Sequence, residues 1–357
     1  MARPSRRQLS SGQIRLTDIA REAGVSTATV SRVVNNVSYV SDAARRKVLD
    51  AMRRHRYYPN AHARTLASGR SDLIGLVISD VANPFFPELV KGLETAAFEH
   101  RYDVLLANTN YDPRRMARYV RRFIERGVTG VAIMTSEFDS ALARELSSRN
   151  VAVVFLDSAK PALHVSNLSV DYDRGIDEVV THLASLGHKR IAYVGGPRRL
   201  RSAKRRLSAF IRSLKRCLGV QPAAILEGDF RIEGGRRAAS DLLAHPSRQT
   251  AVVVANDMMA LGVMQECRAA GLVVPRDLSV VGFDDIALAA LSDPSLTTVS
   301  LSRQTLGRRA VEALIATIGH PDRTGVEIPI ETSLVVRAST GPAAPKVRRD
   351  MLSVEGI

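Results

Sequence analysis

Tryptophan is absent from this 357-residue chain, cysteine occurs twice, and acidic side chains are outnumbered, 36 against 51 Lys and Arg. Each shortage excludes something. Cys217 and Cys267 have neither metal-ligand nor redox-motif spacing, so a disulfide framework is out and a reducing cytoplasm fits. No stretch approaches the ~18 uninterrupted apolar residues of a membrane span. The start, Met1-Ala2-Arg3-Pro4-Ser5-Arg6-Arg7, is basic but has no apolar run behind it, unlike a secretory signal. The motifs Gly-x-Gly-x-x-Gly, Gly-x-x-x-x-Gly-Lys, Gly-x-Ser-x-Gly and His-Glu-x-x-His are all missing, and the 8 His are scattered. No catalytic constellation, cofactor or metal site is therefore expected. What is present, 45% hydrophobic and 24% charged residues, is ordinary globular composition. The length suits two or three domains, because single cores stop growing near ~250–300 residues.

The net charge of +15 is unevenly placed. Residues 1–70 hold fourteen Arg or Lys and four acids (Asp18, Glu22, Asp42 and Asp50), a surplus of ten that leaves +5 for the other 287 residues. That asymmetry is the footprint of a polyanion-binding head on a near-neutral body. On charge alone, a solvated basic face stays open as the bland alternative.

Residues 1–13 read as a flexible basic arm, 14–58 as short helices, and 59–70 as a linker bounded by Pro59 and Gly69 with helix formers between them. From residue 71, short apolar runs alternate with amphipathic helical stretches. The runs are 73–79, 104–108, 130–134, 151–157, 190–195, 223–226, 251–255 and 278–283. Continuously apolar strands belong to sheets buried on both faces, and their alternation with helices is the mark of a parallel α/β sheet. About eight such units exceed one compact sheet, so two similar α/β subdomains are expected. Residues 297–340 add a strand-like 297–301, a helix 303–318 and extended segments. The tail 341–357 carries no leucine heptad for a coiled coil.

The sharpest local signal runs from Leu16 to Asn35. Thr17 is expected to cap a first helix with Asp18 in its first turn, Gly24 to end it at positive φ, and Ser26 to cap a second. Ala20 is small where two helices would cross, and Ile19, Val30 and Val33 would form their seam. This is helix–turn–helix spacing. The second helix then presents Thr27, Ala28, Thr29, Ser31 and Arg32, short polar groups and one Arg able to reach base edges. In the linker, Leu66 sits beside Ala63 and Ala67. Its spacing favours an apolar staple to the body over a minor-groove wedge.

In the body, polar and aromatic groups recur just beyond strand ends: Asp80, Asn83, Phe85 and Phe86, then Asp157, Asp229-Phe230, Asn256-Asp257 and Asp284-Asp285. Open α/β sheets bind ligands beyond the carboxyl ends of their strands. Singly, each Asp reads as a helix cap; their recurrence suits a polyhydroxylated or planar polar ligand. Gly195-Gly196-Pro197 reads as a turn. The Arg-rich run 198–206 reads as a solvated loop and helix start, with one inward Arg able to clamp a hydroxyl, phosphate or carboxylate.

Together these residues resemble the lactose-repressor/galactose-repressor (LacI/GalR) family of bacterial transcription regulators, over about residues 14–340. The motifs are Thr17-Asp18-Ile19-Ala20, Gly24-Val25-Ser26, Thr29-Val30-Ser31-Arg32-Val33-Val34-Asn35 and Tyr58-Pro59-Asn60. They continue with Asn83-Pro84-Phe85-Phe86, Asn256-Asp257-Met258-Met259-Ala260-Leu261-Gly262, Val281-Gly282-Phe283-Asp284-Asp285 and Leu296-Thr297-Thr298-Val299. The resemblance implies an all-α helix–turn–helix headpiece (14–59), a hinge helix (60–70), and an α/β core (71–340) of two doubly wound, periplasmic-binding-protein-like subdomains. The first subdomain takes about 71–170 plus 300–330, and the second about 171–299 plus 331–340.

It also implies a homodimer on near-palindromic double-stranded operator DNA, free of the membrane, in the bacterial cytoplasm on the nucleoid. Thr27, Ala28 and Arg32 match base-reading positions. Leu66 matches the minor-groove wedge, which reverses the preference for a staple. Thr17, Ser26, Thr29, Ser31, Asn35, Asn60 and Ala63 complete the DNA-binding set. Phe86, Asp157, Arg206, Phe230, Asn256 and Asp284 match effector-pocket positions, and Asp80 and Ser202 join them as candidates. Ala209 stands where the family has glycine before the aromatic Phe210, and the Arg surplus at 198–206 is unusual.

A sugar or sugar derivative is the expected effector; Phe86 and Phe230 would stack on a nucleobase equally well. Effector-induced release and effector-induced binding both suit this design. Two rivals differ in kind: a solute-binding protein would leave the helical head unexplained, and a sugar- or nucleoside-processing enzyme would need a constellation that is missing.

Overall fold

The structure, a computed structural model, describes residues 14–35, 39–58, 71–135, 140–157, 160–244, 249–320 and 322–343. The basic arm, the linker positions Asn60, Ala63 and Leu66, and residues 344–357 lie outside the described residues. The chain divides into two compact units between Ser71 and Asp72.

The first unit is helical: α1 (Leu16–Ala23), α2 (Thr27–Val34) and α3 (Asp42–Arg54). Gly24 ends α1 at φ 64°, in the left-handed region that a side chain rarely adopts. Ser26 caps α2, its Oγ accepting from Thr29 N at 3.1 Å. The expected cap of α1 is displaced by two residues. Arg15 is the N-cap and Thr17 lies within the helix. Asp18, at the third helical position, reaches back to accept from Arg15 N at 2.9 Å, so its carboxylate closes the helix start two residues before the expected cap. Ile19, Ala20, Ala23, Val30, Val33, Val48 and Ala51 form the buried centre. Glu22 ties α1 to α3 through Arg54 Nε at 2.9 Å and through His55.

The second unit holds two six-stranded sheets. The first orders its strands β11-β5-β4-β3-β1-β2, with β1 (Leu73–Ile78), β2 (Asp103–Asn108), β3 (Gly130–Met134), β4 (Ala152–Leu156), β5 (Val165–Val170) and β11 (Glu327–Ile330), all parallel. The second orders β12-β10-β9-β8-β6-β7, with β6 (Ile191–Gly195), β7 (Ile225–Glu227), β8 (Ala251–Val254), β9 (Ser279–Asp284), β10 (Thr297–Ser300) and β12 (Ser333–Val335). Among the described strands, only β12 runs antiparallel to its neighbour. Strands β3, β6, β8 and β9 are buried along their whole length, as helices on both faces require.

The helices are α4 (Phe85–Glu99), α5 (Pro113–Glu125), α6 (Ser140–Ser148), α7 (Tyr172–Ser185), α8 (Arg201–Leu218), α9 (Ile232–Ala244), α10 (Asp257–Ala269), α11 (Ala287–Leu291) and α12 (Arg303–Thr317). The chain passes between the sheets three times: from β5 into α7, from β10 into α12, and from β11 into β12. Helix α12 returns to the first sheet by lying on α4, and glycine makes the approach possible. A Cβ on Gly92 would stand 2.4 Å from the Gln304 carbonyl oxygen, and one on Gly307 2.3 Å from that of Leu89. Three crossovers at one junction leave two halves joined by short segments, the geometry of a hinge.

Strand β5, Val165-Ser166-Asn167-Leu168-Ser169-Val170, is absent from the apolar runs. It reads as polar because Ser166 and Asn167 sit inside with partners from β11 and its approach. Ser166 Oγ accepts from Val326 N at 3.1 Å, and Asn167 Nδ2 donates to Glu327 Oε1 at 3.1 Å.

Candidate functional site

In the helical unit, Val30 and Val33 turn α2's apolar side inward, which leaves Thr27, Ala28, Arg32 and Asn35 exposed. Ser31 lies half-buried beside Asn35, whose Nδ2 is 3.4 Å from its Oγ. Two residues of the expected DNA-binding set have local work as well: Ser26 is the cap, and the Thr29 hydroxyl stands 3.0 Å from Ser26 Oγ. Thr17 is exposed on α1. The exposed side of α2 is thus a small polar face with one cation, of a size and chemistry that fit a major groove.

In the second unit, a cleft of about 540 Å³, its open mouth included, lies where the two sheets face each other. Seven of the eight predicted residues line it: Phe86 and Asp157 from the first half; Ser202, Arg206, Phe230, Asn256 and Asp284 from the second. Asp80 does not line it. Its carboxylate points to Arg231, 3.4 Å from Nη2, so the strand-end rule places Asp80 beside the site and tertiary pairing takes it away.

Arg206 is the buried cation of the cleft. It lies on the inward stripe of α8 with Ala203, Ala209 and Phe210. Its Nη2 is 3.2 Å from Asp284 Oδ1, its Nη1 donates to the Ala255 carbonyl, and its guanidinium lies 4.1 Å over the Phe283 ring. Its Nε is buried and has no hydrogen-bond partner among the described residues. Asp284 ends β9 at φ 115° and Asp157 follows β4 at φ 57°. Such backbone costs about 1–3 kcal/mol per residue and collects at ligand clamps.

Asp157 is heavily engaged. It accepts from Val170 N at 2.8 Å, the Tyr172 hydroxyl at 2.6 Å and Arg205 Nη1 at 2.6 Å. Burial raises its pKa against those three donors. Asn256 caps α10 by accepting from Met259 N at 3.1 Å and donates to the Phe230 carbonyl at 3.0 Å, which fixes that ring's backbone. Gly196, read from sequence as a turn, is where the Phe230 ring lies: a Cβ there would meet Cζ at 2.2 Å.

Two family models match the chain. Residues 15–60 match the bacterial regulatory proteins of the lacI family, and residues 180–340 match a periplasmic binding protein-like domain. The ribose operon repressor of Escherichia coli (strain K12) is 37% identical over 328 residues, which cover 91% of this chain and 99% of that one. The chain belongs to the lacI family of bacterial regulatory proteins. Among solved structures of lacI-family proteins, a lac repressor dimer bound to operator and the anti-inducer ONPF superposes with a TM-score of 0.83 at 32% identity, covering 92% of this chain and 100% of that chain. A lacI-family regulator from Enterococcus faecium with bound ribose superposes at 0.67 with 28% identity, over 76% of this chain and 99% of that chain.

Three contributors to this lacI-family cleft escape sequence reasoning. Tyr111 lies against Phe230 with centroids 6.4 Å apart. Tyr172 joins Asp157 to the two arginines, with Arg205 and Arg206 at 5.2 and 5.3 Å from its ring centre. Arg303 at the start of α12 holds Glu88 at 2.8 Å and donates to the Asp284 carbonyl. No local pattern marks any of the three, because each acts on a residue far away in the chain.

Burial pushes the Asp284 pKa up to about 6, against the pull of Arg206 and Arg303. A carboxyl raised in the folded state holds its proton longer there than in the unfolded chain. Its contribution is therefore complete below the ordinary aspartate pKa and disappears as pH rises through 6. Relative to wild type, Asp284→Asn is expected to gain stability between pH 4 and pH 6 by about 3 kcal/mol, on top of a constant offset, then level off. Urea midpoints of both proteins across that range check this; a difference independent of pH would contradict it.

Proposed function

We propose that the chain is a dimeric transcription repressor whose hold on operator DNA is set by a small sugar-like effector bound in the cleft. The observation that carries the reading is the cleft itself. Arg206 and Asp284 present paired donors and acceptors, Asn256 adds an amide, and the Phe86 and Phe230 rings supply apolar faces. That mixture suits a sugar ring, with polar edges and apolar C–H faces. The bound ribose of the Enterococcus faecium regulator and the name of the ribose operon repressor support a pentose-sized ligand.

Each half contributes to the cleft, so effector binding changes the angle between the halves at the three crossovers. The hinge segments, residues 60–70, convert that angle into the spacing of two headpieces on a two-fold operator. Leu66 acts as the wedge at the operator centre. Coupling is reciprocal: a ligand that weakens DNA binding is itself bound less tightly by the DNA complex. No residue makes or breaks a covalent bond, and the protein works in the cytoplasm, on the nucleoid.

Arg32→Ala is expected to relax specificity at one base pair in each half-site, costing about 1–3 kcal/mol per contact. Binding to a series of operator variants checks this. Uniform weakening on every sequence would make Arg32 a phosphate contact instead.

A further inference from the structure

The cleft has two lips. The loop after β2 carries Asn110 and Tyr111, consecutive non-glycine residues in the left-handed region at φ 53° and 58°. The loop after β7 carries Phe230 at φ 67°, followed by Arg231. Asparagine tolerates that conformation; tyrosine and phenylalanine adopt it only where surrounding structure holds them. Here the lips hold each other. Arg231 Nη2 donates to Asn110 Oδ1 at 2.9 Å and lies 3.4 Å from Asp80 Oδ2, while Tyr111 and Phe230 stack beneath.

Both acceptors belong to the half opposite Arg231. Its own turn is braced: Arg231 N donates to Asp229 Oδ1 at 2.9 Å, and Asp229 Oδ2 takes Arg237 at 2.8 Å. The guanidinium is therefore presented across the mouth from a fixed base. Tyr111 and Phe230 also line the cleft, so they form its wall on this side.

We propose that Arg231 latches the two lips and thereby limits ligand length. A ligand of one ring fits behind the stacked pair. A ligand extending toward the mouth must part Tyr111 from Phe230 and break both Arg231 contacts. The inference rests on reading the cleft as the effector site. It also gives Asp80, absent from the lining, a role as an anchor of the latch.

Hydrogen exchange on the full-length protein tests the latch without any ligand. Arg231→Ala is expected to raise exchange several-fold at residues 108–112, more than a hundred positions away in sequence, as well as at 228–232. Asn110→Ala is expected to loosen 228–232 from the other lip. Exchange confined to the mutated loop in both variants would overturn the proposal. Thermal shifts with D-ribose, methyl β-D-ribofuranoside and cellobiose then read length. Wild type is expected to prefer the two single-ring ligands, and Arg231→Ala to accept cellobiose at least tenfold better; equal preference in both proteins would overturn the proposal. If none of the three binds either protein, the effector reading above is at fault, while the exchange comparison still decides the latch.

Discussion

Arg206→Ala is expected to destabilise the core by about 3 kcal/mol and to abolish the effector response. Removing one partner of a buried ion pair strands the other, which typically costs ~3–5 kcal/mol. The lower end is expected because Asp284 can take a proton: its pKa already stands at about 6, and loss of Arg206 raises it further. Arg206 also packs over the Phe283 and Tyr172 rings, so truncation leaves a void as well as a stranded carboxyl. Operator binding without effector is expected to persist, because the helical head forms a separate compact unit. Urea denaturation and an operator-release titration measure the two effects. A variant as stable and as responsive as wild type would show that Arg206 is not the clamp.

The second large effect concerns the head. Val30→Asp places a carboxylate in a centre of seven buried apolar side chains, where Val30 is fully enclosed. Burying an unpaired charge there costs more than so small a core can supply. Loss of all operator binding is expected, with the melting of the α/β core unchanged. Two calorimetric transitions, of which only one disappears, would be the signature. A single transition shifted as a whole would show instead that head and core unfold together.

Much of this architecture is legible in the sequence because its elements are locally self-consistent. The turn at Gly24 and the Ser26 cap are written in residues whose preferences match their positions. Strands β3, β8 and β9 read as continuous apolar runs because helices cover both faces. Strand β5 is illegible for the opposite reason: Ser166 and Asn167 look exposed until β11 arrives from 160 residues away. The Arg15 cap is hidden because it works through the Asp18 side chain.

Position beyond a strand end brings Asp157, Asn256 and Asp284 into the lining of the cleft and leaves Asp80 outside it. The rule says where a side chain starts, not which arginine of the other half takes hold of it. Arg206 can be picked from its neighbours because it falls on the apolar stripe of α8, at the spacing of Ala203 and Ala209, whereas Arg205 turns to Asp157 across the cleft. Tyr111, Tyr172 and Arg303 have no comparable local mark.

The most direct test of the central claim is a titration of full-length protein on genomic fragments against random competitor DNA, across a range of salt, with and without D-ribose and related sugars. The account predicts a near-palindromic fragment bound at least ~10³-fold more tightly than competitor, an affinity that falls with salt by about 0.9 log units per phosphate contact for each decade, and a shift of that affinity by at least one sugar. Equal binding to every fragment, unmoved by any ligand, would contradict it.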